Sequence, residues 1–185
     1  MRNFIVVLTF VILVGCGTSN TVTNEDVASY EVKQTFDEQV EDEFIFRLVT
    51  GKEEYQEGEE VELYGEIIYT GAEEIIIAHA ASAVIFNIEE QIRGFEVTHA
   101  VPEIGLQTTL VPDTSYREDY SKQGISYTEQ ESEDYTKFIE DFSSRNDFPP
   151  GYYTVEATTD FFDGTDHRKL KAAVDFKVWT GSEED

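Results

Sequence analysis

Apolar and polar residues alternate along most of residues 44–179, and a period of two predicts β-strands with one face toward a core. Residues 44–50 open the series, and Gly58 supplies a turn within Tyr55-Gln56-Glu57-Gly58-Glu59. Over 61–69, Val61, Leu63, Ile67 and Tyr69 share one face while Glu62 and Glu66 take the other. Thr70-Gly71 leads into Ile75-Ile76-Ile77-Ala78-His79, whose unbroken apolar run predicts a central strand buried on both faces. Further strands are expected over 84–88 and 92–99, separated by Glu89-Glu90-Gln91, and over 106–111, where Leu106, Thr108 and Leu110 fall on one side.

One stretch breaks the period. Tyr135, Phe138, Ile139 and Phe142 fall at helical spacing, so a single amphipathic helix is expected over about 128–145. Thr128-Glu129-Gln130-Glu131 reads as its capping box with Thr128 as N-cap, and Pro149-Pro150 prevents continuation. Its apolar stripe is expected to cover an open end or edge of the strands rather than bind a partner. Alternation resumes after Gly151, with Tyr153, Val155, Ala157 and Thr159 on one face, and Asp163-Gly164 marks a hairpin. In the last strand Leu170, Ala172, Val174, Phe176 and Val178 alternate with Lys169, Lys171, Asp175 and Lys177, and outward lysines suit an edge. Short strands with turns about every 10 residues predict a mainly β, antiparallel β-sandwich carrying one inserted helix.

The N-terminus has a different pattern. Arg2 precedes an apolar run from Phe4 to Val14, then Gly15 and Cys16, the layout of an export signal. As a helix that run covers only about 16 Å, roughly half a bilayer core, too short for a permanent span. Leu13-Val14-Gly15-Cys16 resembles the lipobox of bacterial lipoproteins. The resemblance implies cleavage before Cys16 and a diacylglyceryl group on its sulfur, which anchors the chain to the extracytoplasmic face of the cell membrane. A secretory peptide with an incidental cysteine, or an uncleaved anchor, is the competing reading. Cys16 is the only cysteine, so no intramolecular disulfide or cysteine-based metal cluster is available, and acylation gives the thiol a use.

These features divide the chain. Residues 1–15 form the signal peptide and 16–43 a lipidated cysteine with an acidic tether, in which eight carboxylates face the single Lys33. A short strand around residues 30–36 stays open. The sandwich is expected over 44–180 and an acidic tail over 181–185.

Charge narrows the partners without naming one. The chain carries 39 acidic against 13 basic residues, a formal net charge of −26, and loss of Arg2 with the signal makes it −27. Such a surface disfavours nucleic acid and anionic headgroups and would attract cations or basic partners, but a solvated surface that keeps an exported chain soluble is the favoured account of it.

The pattern of Phe46 and Leu48, then Tyr55, Gly58-Glu59 and Val61, then an alternating strand and Thr70-Gly71, resembles the opening of an immunoglobulin-like sandwich of exported bacterial proteins. Pro150-Gly151-Tyr152-Tyr153-Thr154-Val155 is similar to a late strand of that type. From Phe44 through His79-Ala80-Ala81-Ser82 to Glu89-Glu90-Gln91-Ile92-Arg93-Gly94, the chain is similar to a small group of uncharacterised lipoproteins of Gram-positive bacilli. That likeness specifies a family and implies no activity. A looser one, resting on strand and turn spacing, reaches bacterial intracellular proteinase inhibitor domains.

Three groups of residues carry candidate chemistry. His79 and Ser82, with an acidic partner, suggest a hydrolase constellation, but no Gly-x-Ser-x-Gly elbow is present and a hydrogen-bonded structural histidine explains His79. Glu89, Glu90 and Arg93 offer either a polar binding cluster or an exposed turn with a surface ion pair. His79, Ser82, Glu89, Glu90 and Arg93 are therefore the candidate binding set. Asp160, Asp163 and Asp166 around Gly164 are candidate ligands for Ca²⁺, although an Asp-Gly hairpin needs no metal. No cofactor motif appears. The resulting expectation is a non-catalytic interaction module with an envelope protein partner and no nucleic acid; an envelope hydrolase, a proteinase inhibitor or a cation-responsive surface protein are the alternatives.

Overall fold

The computed structural model describes residues 21–126 and 132–181. The stretches expected to be a signal peptide (1–15), a lipobox ending in Cys16 and a capping box (128–131), together with residues 182–185, lie outside the described residues.

The elements run α1 (Asn24–Ala28), β1 (Phe36–Glu41), β2 (Phe44–Thr50), β3 (Glu54–Gln56), β4 (Leu63–Tyr69), β5 (Ile75–Glu90), β6 (Phe95–Val97), β7 (Leu106–Leu110), β8 (Ser115–Asp119), α2 (Glu133–Ser144), β9 (Gly151–Phe162), β10 (His167–Arg168) and β11 (Lys171–Trp179). One sheet has the order β1-β2-β4-β8, and the other β3-β11-β9-β5-β6, with β7 on the first half of β5 and β10 on the end of β9. β3 runs parallel to β11, and every other pairing is antiparallel. The chain is mainly β, built as two sheets and a helix around one apolar core, as the periodicity predicts.

Alternation sets the core. Phe44, Phe46 and Leu48 of β2, Leu63, Ile67 and Tyr69 of β4, and Tyr153, Val155 and Ala157 of β9 point inward, each two residues from the next inward position. Gly65 occupies the inward position between Leu63 and Ile67 because a Cβ there would come within 2.8 Å of the Val84 side chain and 3.1 Å of Phe46. The two sheets approach closely at that point.

Several expectations require correction. Residues 75–79 and 84–88 belong to one 16-residue strand whose pairing with β9 shifts register between His79 and Val84. The shift is a bulge, which apolar content alone does not reveal. Ile76 is 57% exposed, so the first half of β5 is buried on one face only. Glu89 and Glu90 continue β5; the turn comes after them, and β6 keeps only three residues of the 92–99 span. β8 pairs with β4 although its sequence, Ser-Tyr-Arg-Glu-Asp, carries no strand signal. α2 begins at Glu133 with Ser132 as N-cap, its hydroxyl accepting from the Tyr135 amide at 3.2 Å. The stripe behaves as expected: Phe138, Ile139 and Phe142 are buried, and Phe138 packs on Phe95 of the edge strand β6.

β11 is not an outer lysine-faced edge, and residues 22–43 are not a free tether. Val22 and Val27 are buried, Tyr30 stacks on Tyr152 with ring centroids 4.6 Å apart, and β1 joins β2 as a full sheet strand. The Asp175 carboxylate accepts from the Lys33 amide at 2.8 Å, the Gln34 amide at 2.9 Å and the Tyr152 hydroxyl at 2.7 Å. Asp175, expected outward, is therefore buried beneath this N-terminal strap, and Lys177, expected outward too, is buried between β3 and β9 with its ammonium near the Trp179 ring.

Candidate functional site

The polar residues singled out in the sequence separate into three places. His79 and Glu90 stand eleven residues apart on the same strand, a separation of about 36 Å at ~3.3 Å per residue. They cannot share a site.

Glu90 and Arg93 form the first group, at the turn from β5 to β6. The Glu90 carboxylate is fully buried and accepts from the amides of Ile92 at 3.1 Å, Arg93 at 2.8 Å and Tyr152 at 3.3 Å. The Arg93 guanidinium meets it at 3.1 Å and also donates to the Pro150 carbonyl at 3.1 Å. Gly151 leaves room, since a Cβ there would lie 2.6 Å from the carboxylate. This is a compensated buried charge that closes a turn, in place of the exposed ion pair expected from sequence. Glu89 projects from the opposite face of β5 and takes no part.

His79 and Ser82 form the second group, at the β5 bulge, but each is bonded elsewhere. The His79 ring donates from Nδ1 to its neighbour's carbonyl, Ala80 O, at 2.8 Å, and Nε2 meets the Thr108 hydroxyl at 2.9 Å. Ser82 instead donates to the Val84 carbonyl at 2.6 Å and to the carboxylate of Glu118, on β8 of the opposite sheet. Glu118 also accepts from the Ala83 amide at 2.9 Å, the Val84 amide at 3.3 Å and the Tyr116 hydroxyl at 2.7 Å. Burial, helped by the adjacent carboxylate, pushes the Tyr116 hydroxyl up to about 12. A carboxylate held by two successive backbone amides occupies the kind of donor pair that an acyl-transfer enzyme would aim at a developing oxyanion.

Asp160, Asp163 and Asp166 form the third group. Asp163 accepts from the Thr165 amide at 2.8 Å, the Asp166 amide at 2.7 Å and Arg168 Nε at 2.7 Å, while Asp160 pairs with Lys169 at 3.0 Å. Burial opposes ionisation of Asp163, yet the two amides and the guanidinium hold its carboxyl below the ordinary value of 3.8. Arg168 also reaches Glu41 at 3.0 Å and Asp42 at 2.7 Å. An internal cation thus takes the place proposed for Ca²⁺, and among the described residues no group of three or more metal-ligating side chains gathers.

Beside the bulge lies a feature the sequence did not reveal. A cleft of about 420 Å³ opens between the β5 stretch from Ala81 to Phe86, the crossing segment from His99 to Pro102, and the segment from Asp119 to Gly124. Two pairings shape it: the Ala100 amide donates to the Gly124 carbonyl at 2.9 Å, and the Ala81 amide to the Pro102 carbonyl at 3.0 Å. Gly124 adopts φ +78°, and a Cβ there would press on the Ala100 carbonyl at 2.9 Å. Val84, Ile85, Phe86, Val101 and Pro102 give it apolar walls, and His99 with Tyr120 gives it a polar corner. His99 Nε2 and the Tyr120 hydroxyl are 3.1 Å apart, and burial lowers the His99 pKa, favouring the neutral ring.

No family model and no curated protein matches this chain. The cleft must therefore be read from its own residues. His99 and Tyr120 are 21 positions apart, and the pairing of His99 with Ile125 brings the two segments together. Gly124 and Pro102 were the sequence signals available there.

Below the cleft, Lys122 fastens α2. Its ammonium donates to the carbonyls of Phe142, Arg145 and Asp147 at 2.6, 3.1 and 2.5 Å and lies 3.8 Å from the centre of the Phe142 ring. Burial pushes this amine down to about 8. It is committed to the last turn of the helix and the residues just beyond it, and is not offered to a ligand.

Proposed function

We propose that this chain is a membrane-anchored, extracytoplasmic lipoprotein whose sandwich is an immunoglobulin-like, non-catalytic interaction module with an envelope protein partner. One observation carries the non-catalytic part. The Ser82 hydroxyl and the Ala83 and Val84 amides, the groups a serine hydrolase would need free, are all engaged by the chain's own Glu118. What remains open beside them is a cleft with apolar walls, the form in which a binding domain receives an apolar side chain.

The immunoglobulin-like type is supported by strand order: β2-β4-β8 against β11-β9-β5-β6, with β3 adding in parallel to the last strand. Kinship with the lipoproteins of Gram-positive bacilli is proposed on the residues from Phe44 to Gly94. Anchoring rests on Leu13-Val14-Gly15-Cys16. Among the described residues no helix is long and apolar enough to cross a membrane, so attachment through Cys16 would be lipidic.

A turnover screen of the purified protein against ester, peptide and glycosidic substrates tests the reading. No turnover above the Ser82→Ala background is expected. Activity that disappears in Ser82→Ala or His79→Ala, with melting temperature retained, would contradict it.

A further inference from the structure

The distance between anchor and domain is set by where the fold begins. Residue 22 is already buried, and the strap after it is fixed at several points. Thr23 and Asp26 cap α1 reciprocally, Val27 is fully buried, and Asn24 accepts from the Thr180 amide at 2.9 Å. That last bond places the start of the strap beside the C-terminal end of β11, next to Glu54, Gln56 and Trp179. Between Cys16 and Val22 only residues 17–21 remain, which reach at most about 20 Å when fully extended.

Resting on the anchor reading above, we infer that the domain sits directly over the lipid surface, with the end that carries Gln56, Trp179 and Thr180 facing the membrane and the turn at 163–166 facing away. The leash is residues 17–21 alone, far shorter than a tether running to residue 43. Strand register gives the heights. Gln56 pairs with Trp179, and Gly151 pairs with Val178. From Gly151, β9 runs eleven residues to Phe162, so the outer turn stands about 36 Å or more beyond the membrane-facing end. Phe86, in the wall of the cleft, lies opposite Ala157, which lies opposite Ala172, seven residues from Trp179. The cleft is therefore held about 23 Å above that end, on the side of the domain and clear of the headgroups. The membrane-facing end carries Glu53, Glu54, Glu57, Glu59 and Glu60 close together in sequence, and these carboxylates keep it off an anionic surface rather than inserted in it.

Energy transfer in vesicles tests this seating. The full chain is produced in a lipid-modifying host as Gln56→Cys or Thr165→Cys, two exposed positions, and the new thiol is labelled with a donor. The acylated protein is reconstituted with an acceptor dye at headgroup level. Transfer from position 56 should exceed that from position 165 by about twofold or more, given the ~36 Å difference in height. Inserting 20 Gly/Ser residues after Gly17, which leaves the domain untouched, should lower transfer from position 56 and narrow the gap. Equal transfer from the two positions, or a reversed order, in protein confirmed by mass to be acylated at Cys16 would overturn the seating alone. Protein recovered without acyl groups would overturn the anchor reading and the seating with it.

Discussion

Glu118 accepts four hydrogen bonds, three across the gap between the sheets from Ser82, Ala83 and Val84 and one from Tyr116 on its own strand. Replacing it by alanine leaves two backbone amides and two hydroxyls to find other partners, so Glu118→Ala should cost about 1–3 kcal/mol in urea unfolding. Ser82→Ala should cost less, about 0.5–1.5 kcal/mol, because the amides keep their acceptor. Asp163 makes a prediction in pH. Its folded pKa lies below 3.8, so its contribution to stability is complete above that value and is lost as the pH falls through the lower folded value. The melting-temperature gap between the wild type and Asp163→Asn should thus be present at pH 7 and close in strong acid. A gap that stayed constant down to acid unfolding would show that the carboxylate is not what holds the turn. Little of this was legible beforehand. Ser82 and Glu118 are 36 positions apart, and Glu90 reads as an exposed acid until the amide of Tyr152 and the missing Cβ of Gly151 are brought beside it.

At the scale of elements, what the sequence disclosed depended on how regularly a strand or helix shows one face to the core. β2, β4 and β9 alternate cleanly and were legible to within a residue or two, as was the stripe of α2. Three features were hidden for physical reasons. β8 is a sheet-edge strand in which Ser115, Arg117 and Asp119 face outward, so it lacks an apolar rhythm. The bulge in β5 shifts pairing without changing composition. The strap has only scattered apolar residues, and its fixation depends on Asp175 and Tyr152, more than 100 residues later. The helix observed is capped by Ser132, four residues after the Thr128 expected from the sequence. Because Phe142 is fully buried against Phe138 and Phe148 and under Lys122, Phe142→Ala should destabilise by about 3–5 kcal/mol in thermal or chemical unfolding. A cost below about 1 kcal/mol would mean that α2 is an appendage and not part of the core.

For the whole molecule, the strap alters what the acidic N-terminal region does. Val22 and Val27 are buried and residues 33–41 bond along β11 and β2, so on the proposed anchoring only residues 17–21 would separate Cys16 from the fold. The formal net charge of −26 for the chain, −27 without Arg2, works against contact with anionic lipid, so the domain itself gives a membrane little reason to retain it. On the proposed reading attachment would depend on Cys16 alone, and this is the claim on which the proposed function stands. The direct measurement is fractionation of cells producing the full chain, as wild type and as Cys16→Ala, with the protein quantified in membrane and released fractions. The wild type should sediment with the membrane and the Cys16→Ala chain should be lost from it. Retention of Cys16→Ala at the membrane to the same extent as the wild type would contradict the account.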